Sequence, residues 1–434
     1  YMTSKNFNVK TFYILLFGQS ISLLGTGMTR FAVMIWAYEQ TKSATALALL
    51  GFFNCLTYII TSPFAGVFVD RWSRRRVMLI ADFSAGLTTV FLLVINLTGE
   101  LHLWHLYVAI GLAGIFEAFQ EPAFTSTVSL LVPREHYTRS NGLLGLGRSA
   151  ARMFSPIFAG LVQQTLGLNA VLGIDLMTMT LALFGLILIR IPSAPISSTG
   201  MEASEDTFWG QLRFGAVYIF RHAGLRNLAI SFFLVNLFGT LTYFAVLSPM
   251  ILMRSNGDES ALGIVRLAMG VGGIMGGALI VAWKNPQRKA RMYLLATGLS
   301  FLICDAIMAM SHSVYGWSAA GFLSELTIPL IVSPYFALWQ ELVPPDVQGR
   351  VFSTREMIQV GSQPIGYLLG GLMADRIFEP AMLNYEWFQN SFGVLVGTGP
   401  GAGMSSMFLF TAIFGGLLGF GGLMMRSIRQ LDEI

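Results

Sequence analysis

Long apolar runs alternate with short polar breaks along the whole chain. The runs cover 12–38, 44–69, 77–98, 103–131, 141–166, 168–190, 225–252, 261–283, 292–310, 317–339, 354–374 and 401–425. About 20 mostly apolar residues carry a helix across a bilayer, so each run predicts one spanning helix, twelve in all. The breaks carry charge or turn signals, as at Asp70–Arg76, Pro133–Asn141 and Lys284–Arg291. One polar stretch is long: Pro192–Thr207, rich in Ser, Pro and acid, reads as a linker. After it, Phe208–Arg226 sets Trp209, Leu212, Val217 and Phe220 against Arg213, Arg221 and Arg226, the pattern of an interfacial helix. The predicted class is an all-α membrane protein. Residues 1–191 form an N-terminal six-helix bundle, 192–224 a cytoplasmic linker with the interfacial helix, and 225–434 a C-terminal six-helix bundle.

Composition narrows the class further. Hydrophobic residues make up 54% of the 434 positions and charged ones 12%, where a soluble domain carries roughly 25% charge. Mean hydropathy is +0.64. There is too little charge to coat soluble cores, which excludes a soluble enzyme, a disordered chain and a nucleic-acid binder. The pI of about 9.1 is a topology signal instead. With a cytoplasmic N-terminus, 19 Lys and Arg fall on the cytoplasmic side and 3 opposite (Lys42, Arg254, Arg376), leaving 5 of 27 inside spans. Both termini are therefore expected in the cytoplasm. The first apolar run is too long for the core of a signal peptide, and Tyr1, ahead of Met2, is set aside as foreign. Cys55 and Cys304 sit in apolar runs without metal-ligand spacing, so no disulfide framework or zinc site is expected. His102 and His105 have no further ligand beside them, and Trp104 marks an interface anchor.

The two halves repeat. Leu131–Glu135 recurs as Leu342–Asp346, an offset of 211, and Pro156 leading to Gly160 recurs near Pro364 leading to Gly371. The basic loop Asp70–Arg76 has a weaker echo at Lys284–Arg291. Matching loops in two halves predict duplicated bundles about an axis along the membrane normal.

Two motifs carry chemistry. Gly66–Arg76 reads Gly-x-x-x-Asp-Arg-x-Ser-Arg-Arg-Arg. Gly66 allows close helix approach, Asp70 can cap a helix N-terminus, and Arg71, Arg74 and Arg75 can pair with acids across the seam between halves. Candidate partners are Ser353, Thr354, Glu341, Asp346 and Glu356. The second motif, in span five, places Gly142, Ala151, Ser155, Pro156 and Gly160 at spacings that suit close helix crossing and a proline bend.

The first motif resembles the loop between spans two and three of the major facilitator superfamily, with Ser73 in place of a glycine. The second resembles the antiporter motif of drug and proton exporters in that superfamily, with three glycines replaced by small residues. Gly18–Gly25, Thr41–Ala46, Ala118–Ala123 and Gln348–Ser353 are similar to the branch containing macrolide and enterobactin (siderophore) exporters. The resemblance implies a twelve-helix, proton-coupled exporter of small amphipathic molecules in a bacterial inner membrane. It implies no cofactor beyond the proton gradient, no nucleic-acid partner, and a monomer in the lipid bilayer. Many proton-coupled members carry an arginine in span four; Glu117 and Glu121 stand there instead.

A charge at the bilayer centre costs at least ~2.5–3.5 kcal/mol on insertion scales, so each one marks a functional hypothesis. Arg30 lies in span one, Glu117 and Glu121 share a face of span four, and Arg148 and Arg152 share a face of span five. Glu121 and Arg152 lie about 10–11 residues from their common loop, ~15–17 Å deep, and are expected to face each other. Glu117 would then neighbour Arg148. Such pairs either brace adjacent helices or exchange arginine for a proton, and Glu117, Glu121 and Glu325 are the proton-coupling candidates. Arg30 either meets substrate or pairs with a carboxylate. Asp82 is expected in the loop charge network, Asp175 and Asp305 near outer span ends, and Arg266 snorkelling. Cavity candidates are Asn54, Tyr58, Asn236, Tyr243 and Trp339, with Tyr38, Phe53 and Phe232 behind them.

The sequence holds no G-x-x-x-x-G-K-[ST] phosphate loop and no Ser/His/Asp signature, so neither ATP-driven export nor an intramembrane enzyme is supported. The reading is a secondary transporter exporting a siderophore-like or drug-like molecule by proton antiport. Its competitors are a lipid or lysolipid transporter on the same fold and a non-transporting receptor.

Overall fold

The computed structural model describes residues 9–41, 44–192, 208–283 and 287–432, and among these there are helices and no strands. Most of the linker, from residue 193 to 207, lies outside the described residues, as do Lys5, Lys42, Lys284 and the side chain of Tyr38.

The first helices are α1 Val9–Thr41, α2 Ala44–Arg71, α3 Arg74–Thr98, α4 Leu103–Leu131, α5 Tyr137–Leu166 and α6 Leu168–Leu188. After the linker come α7 Phe208–Arg221, α8 Ala223–Gly239, α9 Leu247–Arg254, α10 Glu259–Ala282, α11 Lys289–Leu299 and α12 Ala306–Met310. The remaining long helices are α13 Val314–Leu342, α14 Gln348–Met373 and α16 Ala402–Met424, with the short α15 Glu379–Asn384 after α14 and one-turn pieces at Glu386–Phe388, Val394–Val396 and Arg426–Arg429. Segments Thr240–Phe244, Ser300–Asp305 and Ala374–Phe378 are π-helical and join α8 to α9, α11 to α12 and α14 to α15.

Among the described residues, ten spans are long and apolar enough to cross a membrane, against the twelve expected. The other two expected spans form α5 and α14, of 30 and 26 residues. Both have the length, but Arg139, Arg148 and Arg152 lower the hydropathy of one, and Arg350, Arg355 and Glu356 that of the other. Phe17, Leu97, Phe184 and Leu417 are exposed, the apolar outer surface that lipid covers. The repeat is visible in helix ends: α4 and α13 end at 131 and 342, and α5 and α14 begin at 137 and 348, each pair 211 apart.

The chain divides into two compact units, Tyr1–Tyr218 with Trp339–Met357, and Ile219–Leu338 with Ile358–Ile434. The sequence boundaries place Trp339–Met357 in the C-terminal bundle; its contacts gather it onto the first unit. In that unit α2 runs along α4, α1 packs on α5 and α6, and α3 on α4 and α6. Met28, Val33, Leu106, Val171 and Leu172 fill its core. In the second unit α11 lies on α16, and Met250, Trp317 and Phe408 anchor the core. Asp258 starts α10 as its N-cap, accepting from the N–H groups of Ser260 at 2.9 Å and Ala261 at 3.3 Å. The Ser260 hydroxyl, with the Ala261 N–H, holds that carboxyl below the usual carboxylate range.

Candidate functional site

The Gly66–Arg76 motif forms a latch. Asp70 closes α2 and accepts from the N–H of Gly349 at 2.7 Å, the N–H of Arg350 at 2.9 Å and Nε of Arg350 at 3.0 Å. One carboxylate thus caps the first turn of α14 and pairs with its arginine. The side chains are 2% and 8% exposed. Gly66 is where the backbones meet: a Cβ there would lie 2.8 Å from Arg350 Cα and from the Gly349 carbonyl. Gly66→Ala is therefore expected to destabilise the protein by about 1–3 kcal/mol through overpacking. Gly145→Ala, which faces open space, should not. Thermal unfolding in detergent distinguishes the two.

Other bonds hold the same hairpin. Ser62 donates to the Ser353 carbonyl at 2.9 Å, Ser129 to Gln348 Oε1 at 2.6 Å, and Asn141 to Gln340 Oε1 at 2.8 Å. Arg74 donates to the carbonyls of Ser126 and Pro345. The Arg350 guanidinium lies over the Phe214 ring, 5.1 Å from its centroid. A Cβ on Gly215 would press on Thr354 and the Arg350 carbonyl. The half of α7 in this unit therefore covers the latch, a role its amphipathic pattern did not announce.

Arg74 lies in electrostatic reach of Asp346, one of the expected acids, and the loop's own acid, Asp70, binds an arginine of α14. Arg75 instead donates to the carbonyls of Leu186 and Ile187, capping the last turn of α6. Arg71 is exposed.

A second cluster lies within the helices of the same unit. Arg30 of α1 forms an ion pair with Glu117 of α4. Asn54 of α2 donates at 3.4 Å to Glu117 Oε2 and to the Ile110 carbonyl. Arg148 of α5 pairs with Glu121 of α4 at 2.5 Å. The expected Glu121–Arg152 pair is not formed, and Arg152 is exposed. The reason is a helix start. α5 begins at Tyr137 where the hydropathy pattern suggested 141. Glu121 lies ten residues before the end of α4, and Arg148 lies eleven after the start of α5. The same depth is reached one turn earlier, and Glu117 is left to Arg30.

Tyr58, Arg355 and Glu356 complete this cluster. Glu356 lies in electrostatic reach of Glu121 and Arg148, and accepts from Arg355 at 3.2 Å. Arg355 is 1% exposed, its guanidinium 4.8 Å from the Phe352 ring centroid and 5.8 Å from that of Trp339. Trp339, read as cavity lining, is a wholly buried support beneath Arg355. Tyr58 is buried beside all four charges. Glu356 was expected at the loop arginines and instead joins the Glu121–Arg148 pair, and Arg355 had no place in the expected cluster.

Buried acids elsewhere rest on neutral donors. Asp82 accepts from Gln19 at 2.9 Å, and Gln120 donates to Gln19 at 2.9 Å. It therefore sits with glutamines of two resemblance motifs and not in the loop charge network. Asp175 accepts from Thr26 at 3.1 Å, Thr29 at 2.9 Å and Thr89 at 3.0 Å. Threonines on three turns of two helices gave no sequence signal.

In the antiporter-like motif, Gly142 and Ala151 are buried and Pro156 lies inside α5. Ser155 donates to the Leu24 carbonyl at 3.0 Å. A Cβ on Gly160 would meet open space, so that glycine serves no close crossing. In the second unit, Asn236 donates to the Phe232 carbonyl at 2.8 Å, and Tyr243 to Asp305 at 2.8 Å. Glu325 interacts electrostatically with Arg266, which donates to Ser248 at 2.9 Å.

Comparison with known proteins agrees with this architecture. The chain is 28% identical over 375 residues to macrolide efflux protein A of Streptococcus pyogenes, covering 84% of this chain and 90% of that protein. It is 24% identical over 378 residues to the multidrug efflux pump Tap of Mycolicibacterium fortuitum, covering 83% and 88%. Among solved structures, the human organic anion transporter MFSD10 superimposes with a TM-score of 0.67 at 15% identity, covering 93% of this chain and 98% of that one. At that identity the likeness speaks for the fold alone. The family model of the Major Facilitator Superfamily matches residues 15–367, and the chain, an all-α membrane transporter, belongs to that superfamily.

Proposed function

We propose that this transporter exports small amphipathic, drug-like molecules by exchange for protons across a bacterial plasma membrane. Both termini are cytoplasmic, the chain acts as a monomer, and the proton gradient alone drives it. The observation that carries the reading is the pair of acid–arginine contacts, Arg30–Glu117 and Arg148–Glu121, on three adjacent helices. Glu117 and Arg30 keep 37% and 47% of their side-chain surface exposed, so a proton or a solute can reach them. Protonating Glu117 cancels its charge and releases Arg30. A cationic amphiphile bound at the carboxylate would release the same arginine, so solute and proton compete for one site. The macrolide and multidrug relatives support a drug-like solute over a siderophore or lipid.

The latch supplies the second element. Helix α14 runs unbroken past Met357 into the second unit. In this reading the transport cycle releases Asp70 from Gly349 and Arg350. The test is transport in proteoliposomes with an imposed pH gradient, using erythromycin, a catecholate siderophore and a lysolipid. Gradient-dependent movement of erythromycin is expected, and no gradient-dependent movement of any of the three overturns the reading. In the same assay Glu117→Gln should fall to the background of empty liposomes. Undiminished gradient-driven movement would remove Glu117 as the coupling acid.

A further inference from the structure

Asp305 ends the π-helical segment between α11 and α12 and is 1% exposed. The Tyr243 hydroxyl donates to its Oδ1 at 2.8 Å and the Thr411 hydroxyl to its Oδ2 at 2.6 Å. Tyr243 lies in a π-helical segment of its own, between α8 and α9. Such segments widen the helix and recur at functional sites. Both donors are neutral, and among the described residues no cation pairs with Asp305. A bare carboxylate at this depth is costly, and a carboxyl sheds that cost by taking a proton.

The surroundings accommodate both forms. As a carboxylate, Asp305 accepts from Tyr243 and Thr411. As an acid with its proton on Oδ2, it donates to Thr411 Oγ1, whose own hydrogen turns to the Phe408 carbonyl, 3.1 Å away. The 2.6 Å separation suits either O–H···O bond. Asp175 is the contrast: three threonine hydroxyls donate to it and Arg30 lies in electrostatic reach.

We infer that Asp305 is a second proton-carrying site, in the second unit, reached through the Tyr243 hydroxyl. Tyr243 is half-buried and bonds to Ser324 of α13. Once the proton sits on Oδ1, it passes to Tyr243 Oη as water takes the tyrosine's own proton. Tyr243 stays neutral and Asp305 is left as a carboxylate; the reverse hop reloads it. The groups facing the site are Tyr243, Cys304 of the same segment, Thr411 of α16 and Ser324 of α13. The nearby charges Glu325 of α13 and Arg266 of α10 interact with each other. Use of this site in transport rests on the proton-driven reading; its protonation does not.

Infrared difference spectra of the full chain in liposomes read the proton directly. Wild type should show a carboxylic acid C=O band that disappears on alkalinisation and is missing from Asp305→Asn. The amide keeps both hydrogen bonds, so the variant should fold. Tyr243→Phe removes one donor to the anion and should raise the midpoint of the band's loss by about one pH unit. It serves as the readout if Asp305→Asn does not fold. A band unchanged in Asp305→Asn, or a midpoint unmoved in Tyr243→Phe, overturns the site. If the band behaves as expected while wild-type erythromycin movement ignores the pH gradient, the site stands and the proton-driven reading falls. If the gradient drives wild type and the band persists in Asp305→Asn, the reading stands and the site falls.

Discussion

Asp70→Ala is expected to abolish transport and to lower stability by about 3–5 kcal/mol, the cost of breaking a buried ion pair. The variant leaves three donors without their acceptor: the N–H groups of Gly349 and Arg350, and the Arg350 guanidinium. The exposures of 2% and 8% mean that water cannot take the carboxylate's place without opening the hairpin. Asp70→Asn should lose less, because its amide oxygen can still accept from one backbone N–H, while its attraction for the guanidinium is gone. Thermal unfolding in detergent and vesicle transport of erythromycin should rank wild type, Asn and Ala in that order. Equal stability of the alanine variant and wild type would mean that the latch is not closed in the resting protein.

Arg148→Met is the second large effect. Its removal leaves Glu121 and Glu356 in electrostatic reach of each other, with Arg355 as the remaining cation. Transport should fall to background. The loss of stability should be about 1–3 kcal/mol, below that of a dry pair because Arg148 and Glu121 are 38% and 28% exposed. Adding Glu121→Gln removes the like-charge repulsion and should restore the melting temperature without restoring gradient-driven transport. A double variant no more stable than Arg148→Met would show that the two acids do not act on each other. Comparing single and double variants separates this coupling from the loss of arginine packing.

Much of this arrangement was legible from local rules. Gly66 and Asp70 announce a close approach and a cap because those are what a glycine and a short carboxylate do at a helix end. The partner segment was legible from the motif, but not the residue: Arg350 lies 280 residues away, and no local rule picks it out from its neighbours Ser353 and Thr354. Glu117, Glu121, Arg30 and Arg148 stood out as charges in apolar runs. Their pairing depended on where α5 begins, and hydropathy locates a polar helix start only to within a turn. That turn moved Glu121 from Arg152 to Arg148. Arg355 was missed, and Glu356 was assigned to the loop arginines, for a related reason. They lie in α14, whose charges make it one of the two least apolar of the expected spans.

The sequence alone determined the helical class, the bilayer as solvent, the duplicated halves and the motif that closes the latch. Each follows from composition and from spacing over a few turns, where the cost of placing charge in lipid dominates. Only the tertiary structure decided which carboxylate meets which arginine, that Trp339–Met357 packs with the first unit, and that Asp305 rests on two hydroxyls. Those depend on helix rotation and offset between distant segments. A single turn exchanges one partner for another there, and no local preference distinguishes the alternatives.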